Sequence, residues 1–409
     1  MKRFKFDLKL LGLALCVSGI AACGGGGGGG SSDEGRQAST SKESGVCGDT
    51  AGAINQAALE DADCKYLSSY RLFADASNPT DNPNGRGVIY DLTTPLFSDY
   101  ASKYRFVFVP DGEAAAYTEH EVFDFPVGTV LVKTFSMPAD TAFRGYDAEA
   151  QDERLIETRL LIHREKGWVG LPYVWNDDFS DAELQIAGGV VPVTTVHNGV
   201  QLDIDYRVPD KNQCKQCHQY KASGSDVSAI SPIGPKARLL NRSLDYASGS
   251  ENELSHWISK GILTGVPSDL NTIQTVPSYH DSDASLLAGK SDAELTELAT
   301  GYLDINCSHC HRPEGSASNT GLYMEFWRDI QDEPIHRGLC KQPTTYALSG
   351  LPYDIVPGDI ENSILRYRMA STKPGDIMPE LGRSVVHDEG LALVSAWIKS
   401  LDTPTCPSP

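Results

Sequence analysis

The chain has 409 residues, of which 40% are hydrophobic, and 55 acidic against 35 basic side chains give it a formal charge of −20. That length supports two or three domains with real cores, and that charge excludes nucleic acid as a natural partner, because a phosphate backbone repels such a surface. An acidic body is instead steered toward a basic face on a partner protein, an attraction that salt weakens.

In chain order, residues 1–22 read as a signal peptide. Lys2, Arg3 and Lys5 make a basic start, an apolar run follows over 10–20, and Ile20-Ala21-Ala22 precede Cys23. The run is short for a membrane span. Small residues before a cysteine resemble the lipobox of bacterial lipoproteins, which implies cleavage after Ala22, acylation of Cys23 and a lipid anchor in place of a transmembrane helix. Gly24 stands where an Asp would favour retention at the inner membrane, so the expected location is the outer membrane, facing the periplasm or the cell surface. Residues 23–46, seven glycines and then a polar stretch, read as a flexible tether.

From about 87 to 208, within a domain expected to span 47–208, the pattern is strand-like. Runs rich in Val, Phe, Tyr, Ile and Leu at 104–109, 129–135, 155–162, 168–175 and 190–196 are separated by Gly, Pro and Asp, which predicts an all-β, sandwich-like domain. No nucleophile, acid pair or phosphate loop stands out there. Glu157 and Arg159, two apart on one strand, read as a solvent-facing charge pair.

The second half reads as mainly helical. Leu254, Trp257, Ile258 and Ile262 recur at helical intervals over 252–263, with Gly261 and Gly265 as stops. Ser291 and Glu294 form a capping box ahead of Leu295, Leu298, Ala299, Tyr302 and Ile305. Leu391, Val394, Trp397, Ile398 and Leu401 form a last amphipathic stripe.

Two pentapeptides carry the chemistry: Cys214-Lys215-Gln216-Cys217-His218 and Cys307-Ser308-His309-Cys310-His311. Cys-x-x-Cys-His is the attachment signature of c-type haem, in which two thiols bond the porphyrin and the imidazole ligates iron. Two covalently attached haem c groups are therefore expected, with His218 and His311 as iron ligands. A zinc site or a thiol redox motif is the other reading of Cys-x-x-Cys, although a structural zinc would gather its ligands in one cluster. Of the ten cysteines, Cys16 leaves with the signal peptide, Cys23 is lipidated and four serve the motifs. Nearest-neighbour pairing of the remainder gives disulfides Cys47–Cys64 and Cys340–Cys406, which suits an oxidising compartment.

A helix leading into the second motif, a late Met and a C-terminal helix resemble the class I cytochrome c domain over 290–402. The resemblance implies Met378, before Pro379, as the distal ligand of the second haem, in preference to Met369 in a stretch that reads as helix. The first haem has no Met between 219 and 306, so its distal candidates are His256 and His280, a donor from the β domain (His163, His197 or Met137), or an open position. Residues 96–100, 128–135, 214–218, 233–241, 302–311 and 378–379 together resemble a family of bacterial diheme c-type cytochrome lipoproteins. That resemblance implies an N-terminal β domain (47–208), a first haem module (209–290) and a class I cytochrome c-like second haem domain (291–409).

The expected function is electron transfer by a lipid-anchored diheme c-type cytochrome that hands electrons to or from a redox protein with a basic docking face. The alternatives are a diheme peroxidase or oxidase with an open first haem, and a non-catalytic surface module in which the haems are structural.

Overall fold

The computed structural model describes residues 43–49, 51–147, 153–280, 285–344, 346, 350–402 and 406–407. Its elements in chain order are α1 (Gln56–Asp61), β1 (Val88–Ile89), β2 (Ser102–Phe108), β3 (Ala115–Ala116), β4 (Val130–Met137), β5 (Arg154–Arg164), β6 (Gly167–Trp175), β7 (Ala182–Leu184), β8 (Gly189–His197), β9 (Val200–Val208), α2 (Lys211–His218), α3 (Ala237–Leu240), α4 (Glu253–Ser259), α5 (Asp292–Asn306), α6 (Ile364–Ala370) and α7 (Asp388–Ser400). Short two-stranded pairings fill the connections, such as 243–246 with 249–252. No described helix is long and apolar enough to cross a membrane. Residues 1–42, which include the expected signal peptide and Cys23, lie outside the described residues.

Six strands form one sheet in the order β1-β2-β4-β5-β6-β7, with antiparallel neighbours. Successive side chains of a strand point to opposite faces, and both faces of this sheet are covered. On one, Phe106, Phe108, Val130, Val132, Leu160 and Ile162 pack against Leu59, Leu67 and Tyr70 from the N-terminal layer. On the other, Val107, Val109 and Leu131 meet Leu239, Leu240, Trp257, Val276 and Ile305 from the second half. Sheet and helical elements therefore share a core, and residues 43–409 form a single compact unit.

Two fold expectations are corrected. The sandwich-like N-terminal domain is replaced by the open sheet and a separate β8-β9 hairpin, whose Val193, Ile204 and Tyr206 pack on Phe135 and Ile156. The mainly α, cytochrome c-like second half is also overturned: the chain is largely β-sheet, with seven α-helices among the described residues. Between Cys307 and Ser363 no α-helix is described. Pro313, Pro334, Pro343, Pro352 and Pro357, with five glycines in the same stretch, account for this, since both residue types disfavour helix interiors. The 252–263 helix shortens to α4, and Gly261 beyond its end adopts a positive φ of 71°.

The clearest helical pair is α5 and α7. Ser291 and Glu294 close the capping box on α5, and its Leu298, Ala299, Tyr302 and Leu303 pack on Leu393, Val394, Trp397 and Ile398 of α7. The approach is close at Gly390, where an added Cβ would lie 2.3 Å from the Tyr302 hydroxyl. Disulfides join Cys47 to Cys64 and Cys340 to Cys406.

Candidate functional site

The two Cys-x-x-Cys-His segments, far apart in sequence, meet in space. The first occupies α2, whose N-terminus is held by a capping box of Asp210 with Gln213. The second follows α5 as a turn. The Cys217 and Cys310 thiols lie close enough to interact, which raises the pKa of Cys217 and lowers that of Cys310, and Cys310 Sγ lies 4.0 Å from the Gln216 carbonyl oxygen. All four motif cysteines are free thiols.

Each histidine lines its own cavity. His218 lines a first cavity of about 180 Å³, bounded by Leu131, Leu161, Ile233 and Ile305. His311 lines a second of about 610 Å³, bounded by Leu322, Met324, Lys341 and Leu365. His218 Nδ1 donates to the Ser231 carbonyl at 2.8 Å, which fixes the tautomer and leaves Nε2 as the donor atom for a metal. His311 is oriented more loosely, with Nδ1 3.4 Å from the Thr320 hydroxyl. Burial pushes both imidazoles down to a pKa of about 4, so both are neutral at pH 7.

Met369 and Met378 line both cavities. One side chain holds the two segments that carry them. The buried Arg383 guanidinium donates to the Met369 carbonyl at 3.0 Å and to the Met378 carbonyl at 2.7 Å. The adjoining Ser384 and Val385 amides donate to Asp99 at 2.7 and 3.0 Å. Asp99 and Tyr100 sit at positive φ of 52° and 62°, an uncommon conformation for residues other than glycine. The segment 96–100 thus reaches the loop that presents Met378. The sequence singled out the segment 96–100 without a role for Asp99, and nothing in it pointed to Arg383.

The remaining distal candidates stand elsewhere. His163 Nδ1 donates to the Phe125 carbonyl at 2.9 Å, and the ring stacks on Trp168. His256 stacks on Tyr246 and bonds Glu251 at 2.8 Å. Met137 is core, with Ile156 and Tyr206. His197 and His280 line a third cavity. None of the five lines either motif cavity.

A further feature was misread from sequence. Arg105, Lys133 and Arg159 are direct cross-strand partners on β2, β4 and β5, and all three line the first cavity. Glu157, read as solvent-facing, is fully buried and pairs with Arg159 at 2.9 Å and with the Tyr206 hydroxyl at 2.7 Å. Three cations side by side repel one another, and one internal carboxylate does not balance them. The Asp91 carboxylate takes up only the Arg105 end.

Buried ion pairs tie this wall to α5. Asp304 accepts from Arg238 at 2.8 and 3.0 Å and lies 3.6 Å from Lys236. Burial alone would raise its pKa, but Arg238 and Lys236 outweigh that and hold it well below the usual carboxylate range. Arg312, next to the second motif, is bidentate to Glu121 at 2.7 and 2.9 Å.

No family model, no curated protein and no solved structure matches this chain. The expected membership of the diheme cytochrome lipoprotein family is corrected accordingly, since it finds no family match and the largely β fold lacks the helical haem domain the resemblance implied.

Proposed function

We propose that the protein carries two covalently attached haems and transfers electrons through them. The observation that carries this reading is the convergence of the motifs: Cys310 lies 4.0 Å from the Gln216 carbonyl of the first motif and lines one cavity with Cys217, while His218 and His311 each line a separate cavity and Met369 and Met378 line both.

The residues fit the group. Each cavity offers a free thiol pair and a neutral imidazole. The Arg105-Lys133-Arg159 row offers counter-charges for the two propionates of one haem. The first cavity is narrow, so its apolar walls would have to part around a macrocycle; the second is roomy. When bound, haem supplies an iron that changes oxidation state by one electron at a time. The chain's own residues would do the rest. His218 and His311 would hold iron, Met378 would offer a thioether to the second site, and Leu131, Leu161 and Ile233 would exclude water.

We also propose, on the sequence, a lipid anchor at Cys23, a position at the outer membrane and a redox partner with a basic face. A second reading, a peroxidase or oxidase working at an open first iron, draws on one observation. The Tyr302 hydroxyl lies 2.9 Å from His387 Nδ1 in the wall of the first cavity, an acid–base pair that the sequence did not suggest.

A pyridine haemochrome assay tests the cofactor: two covalent haems per chain are expected, and a colourless, zinc-containing protein would sink the proposal. Low-temperature EPR of the oxidised protein then separates the readings. Two low-spin irons favour the carrier, whereas a high-spin first iron with peroxide turnover favours the enzyme. Cys23→Ser should release the protein from the membrane fraction with both haems retained.

A further inference from the structure

A third cavity, of about 470 Å³, lies on the same face of the sheet, beyond the Phe97-Tyr302-His387 wall of the first. It differs from both motif cavities in its lining. Tyr100, Tyr146 and Tyr279 supply rings, while Lys103, Arg105 and Arg144 supply positive charge. We propose that this cavity binds a free organic carboxylate with a flat ring, the acid group meeting Lys103 and Arg105 and the ring lying among the tyrosines.

The charges carry the argument. Lys103 and Arg105 are two apart on β2 and so share a face. The Lys103 amine donates to the Ala101 carbonyl at 2.9 Å, no carboxylate pairs with it among the described residues, and burial, with the nearby Arg105 and Arg144 charges, holds its pKa well below the usual lysine value, which an incoming carboxylate would counter. Arg105 is 97% buried; Asp91 takes its Nη1, but its Nη2 has no hydrogen-bond partner. A buried guanidinium nitrogen without an acceptor is costly, and a charged partner would relieve it. The acidic groups nearby are already used. Asp91 also pairs with Arg242 at 3.2 Å. Glu389 accepts from Tyr100 at 3.0 Å and bonds His197 at 2.9 Å. Asp140, at the mouth, caps the Ala142 amide. An incoming anion is what the wall lacks, and tyrosine rings suit a flat apolar body.

The proposal meets the haem reading at one side chain, Arg105, which lines both the first cavity and this one, whereas Lys103 lines only this one and none of the motif residues does. The test is isothermal titration of the isolated full chain with benzoate, and with benzyl alcohol as its uncharged counterpart. Saturable one-site binding of benzoate, at least about tenfold tighter than benzyl alcohol, is expected. Lys103→Met should weaken benzoate about tenfold or more, and Lys103→Arg should retain it. Should Lys103→Met fail to fold, Ala142→Trp, at an exposed position lining the cavity, should block binding with the fold intact. Equal affinity for the two probes, no saturable binding, or unchanged benzoate binding in folded Lys103→Met would each overturn the proposal. So would a Lys103→Met shift in haem potential without benzoate binding to the wild type, which would assign the lysine to a haem carboxylate instead. Haem content, assayed on the same samples, reports separately on the proposed cofactor.

Discussion

The two motif cavities are built on opposite strategies. Around His218 the donor is set and the space is not: the imidazole is fixed by a 2.8 Å bond to a backbone carbonyl, but the cavity is only about 180 Å³. Around His311 the space is set and the donor is looser, with a 3.4 Å contact to a hydroxyl and about 610 Å³ of room. The sheet explains the difference. The first cavity is floored by paired strands whose ladder fixes Arg105, Lys133 and Arg159 in register. The second is walled by the irregular stretch after Cys307 and by the Met378 loop, which Arg383 holds together. Strand pairing sets positions at the expense of room, whereas loops leave room and need a clamp.

The largest expected effect tests whether the two sites are separate. Cys214→Ala with Cys217→Ala should remove one haem of two, and Cys307→Ala with Cys310→Ala should remove the other, each measured by the pyridine haemochrome. Loss of both haems from either pair would mean that the contact at Cys217 and Cys310 makes one site of the two.

Next in size is the buried ion pair behind the first cavity. Asp304→Asn leaves Arg238 and Lys236 buried against a neutral amide and should cost about 3–5 kcal/mol in urea unfolding. Because Ile233, Gly234 and Pro235 of the first cavity adjoin Lys236, haem loss should fall on the His218 site. Equal loss at both sites would contradict the contrast drawn between them.

What could be read from sequence follows the range of the interactions. The motif residues were legible because Cys-x-x-Cys-His is a local spacing, and β2, β4, β5, β6 and β8 because their strand-forming runs are local too. The α5 cap was legible for the same reason. The helical second half was misjudged where short apolar periods at 252–263 and the late stripe were extended across proline- and glycine-rich chain. The cation row was invisible, since Arg105, Lys133 and Arg159 become neighbours only through pairing across three strands. Glu157 was misjudged because one strand face does not reveal what covers it. Residues such as Arg383 and Asp99 act on loops hundreds of positions away or on carbonyls, and leave no periodic trace.

The methionines sharpen the contrast at smaller cost. Met378→Ala should abolish the weak far-red sulfur-to-iron band and lower the potential of the second haem only. Met369 is buried in the core with Leu393 and Trp397, so Met369→Ala should keep the band while losing about 2 kcal/mol of stability. Since both methionines line both cavities, loss of the band in Met369→Ala, with Met378 dispensable, would reverse the ligand choice.

The smallest effect concerns pH and the wall that the first motif cavity has and the second lacks. His387 is stacked on Phe97 at 4.1 Å and hydrogen-bonded to Tyr302, and burial pushes its pKa down to about 3. In the unfolded chain a histidine titrates near ~6.5. Between those values the unfolded state holds the extra proton, so stability is fully present above about pH 6.5 and is lost as pH falls toward 3, at up to about 1.4 kcal/mol per pH unit for this one group. His387→Gln keeps a polar partner for the Tyr302 hydroxyl and removes the titration. Urea midpoints between pH 7 and 4 should therefore fall less steeply in the variant than in the wild type. Parallel slopes would mean that His387 is already protonated in the folded protein, and that the wall between the first cavity and the third is wetter than its packing implies.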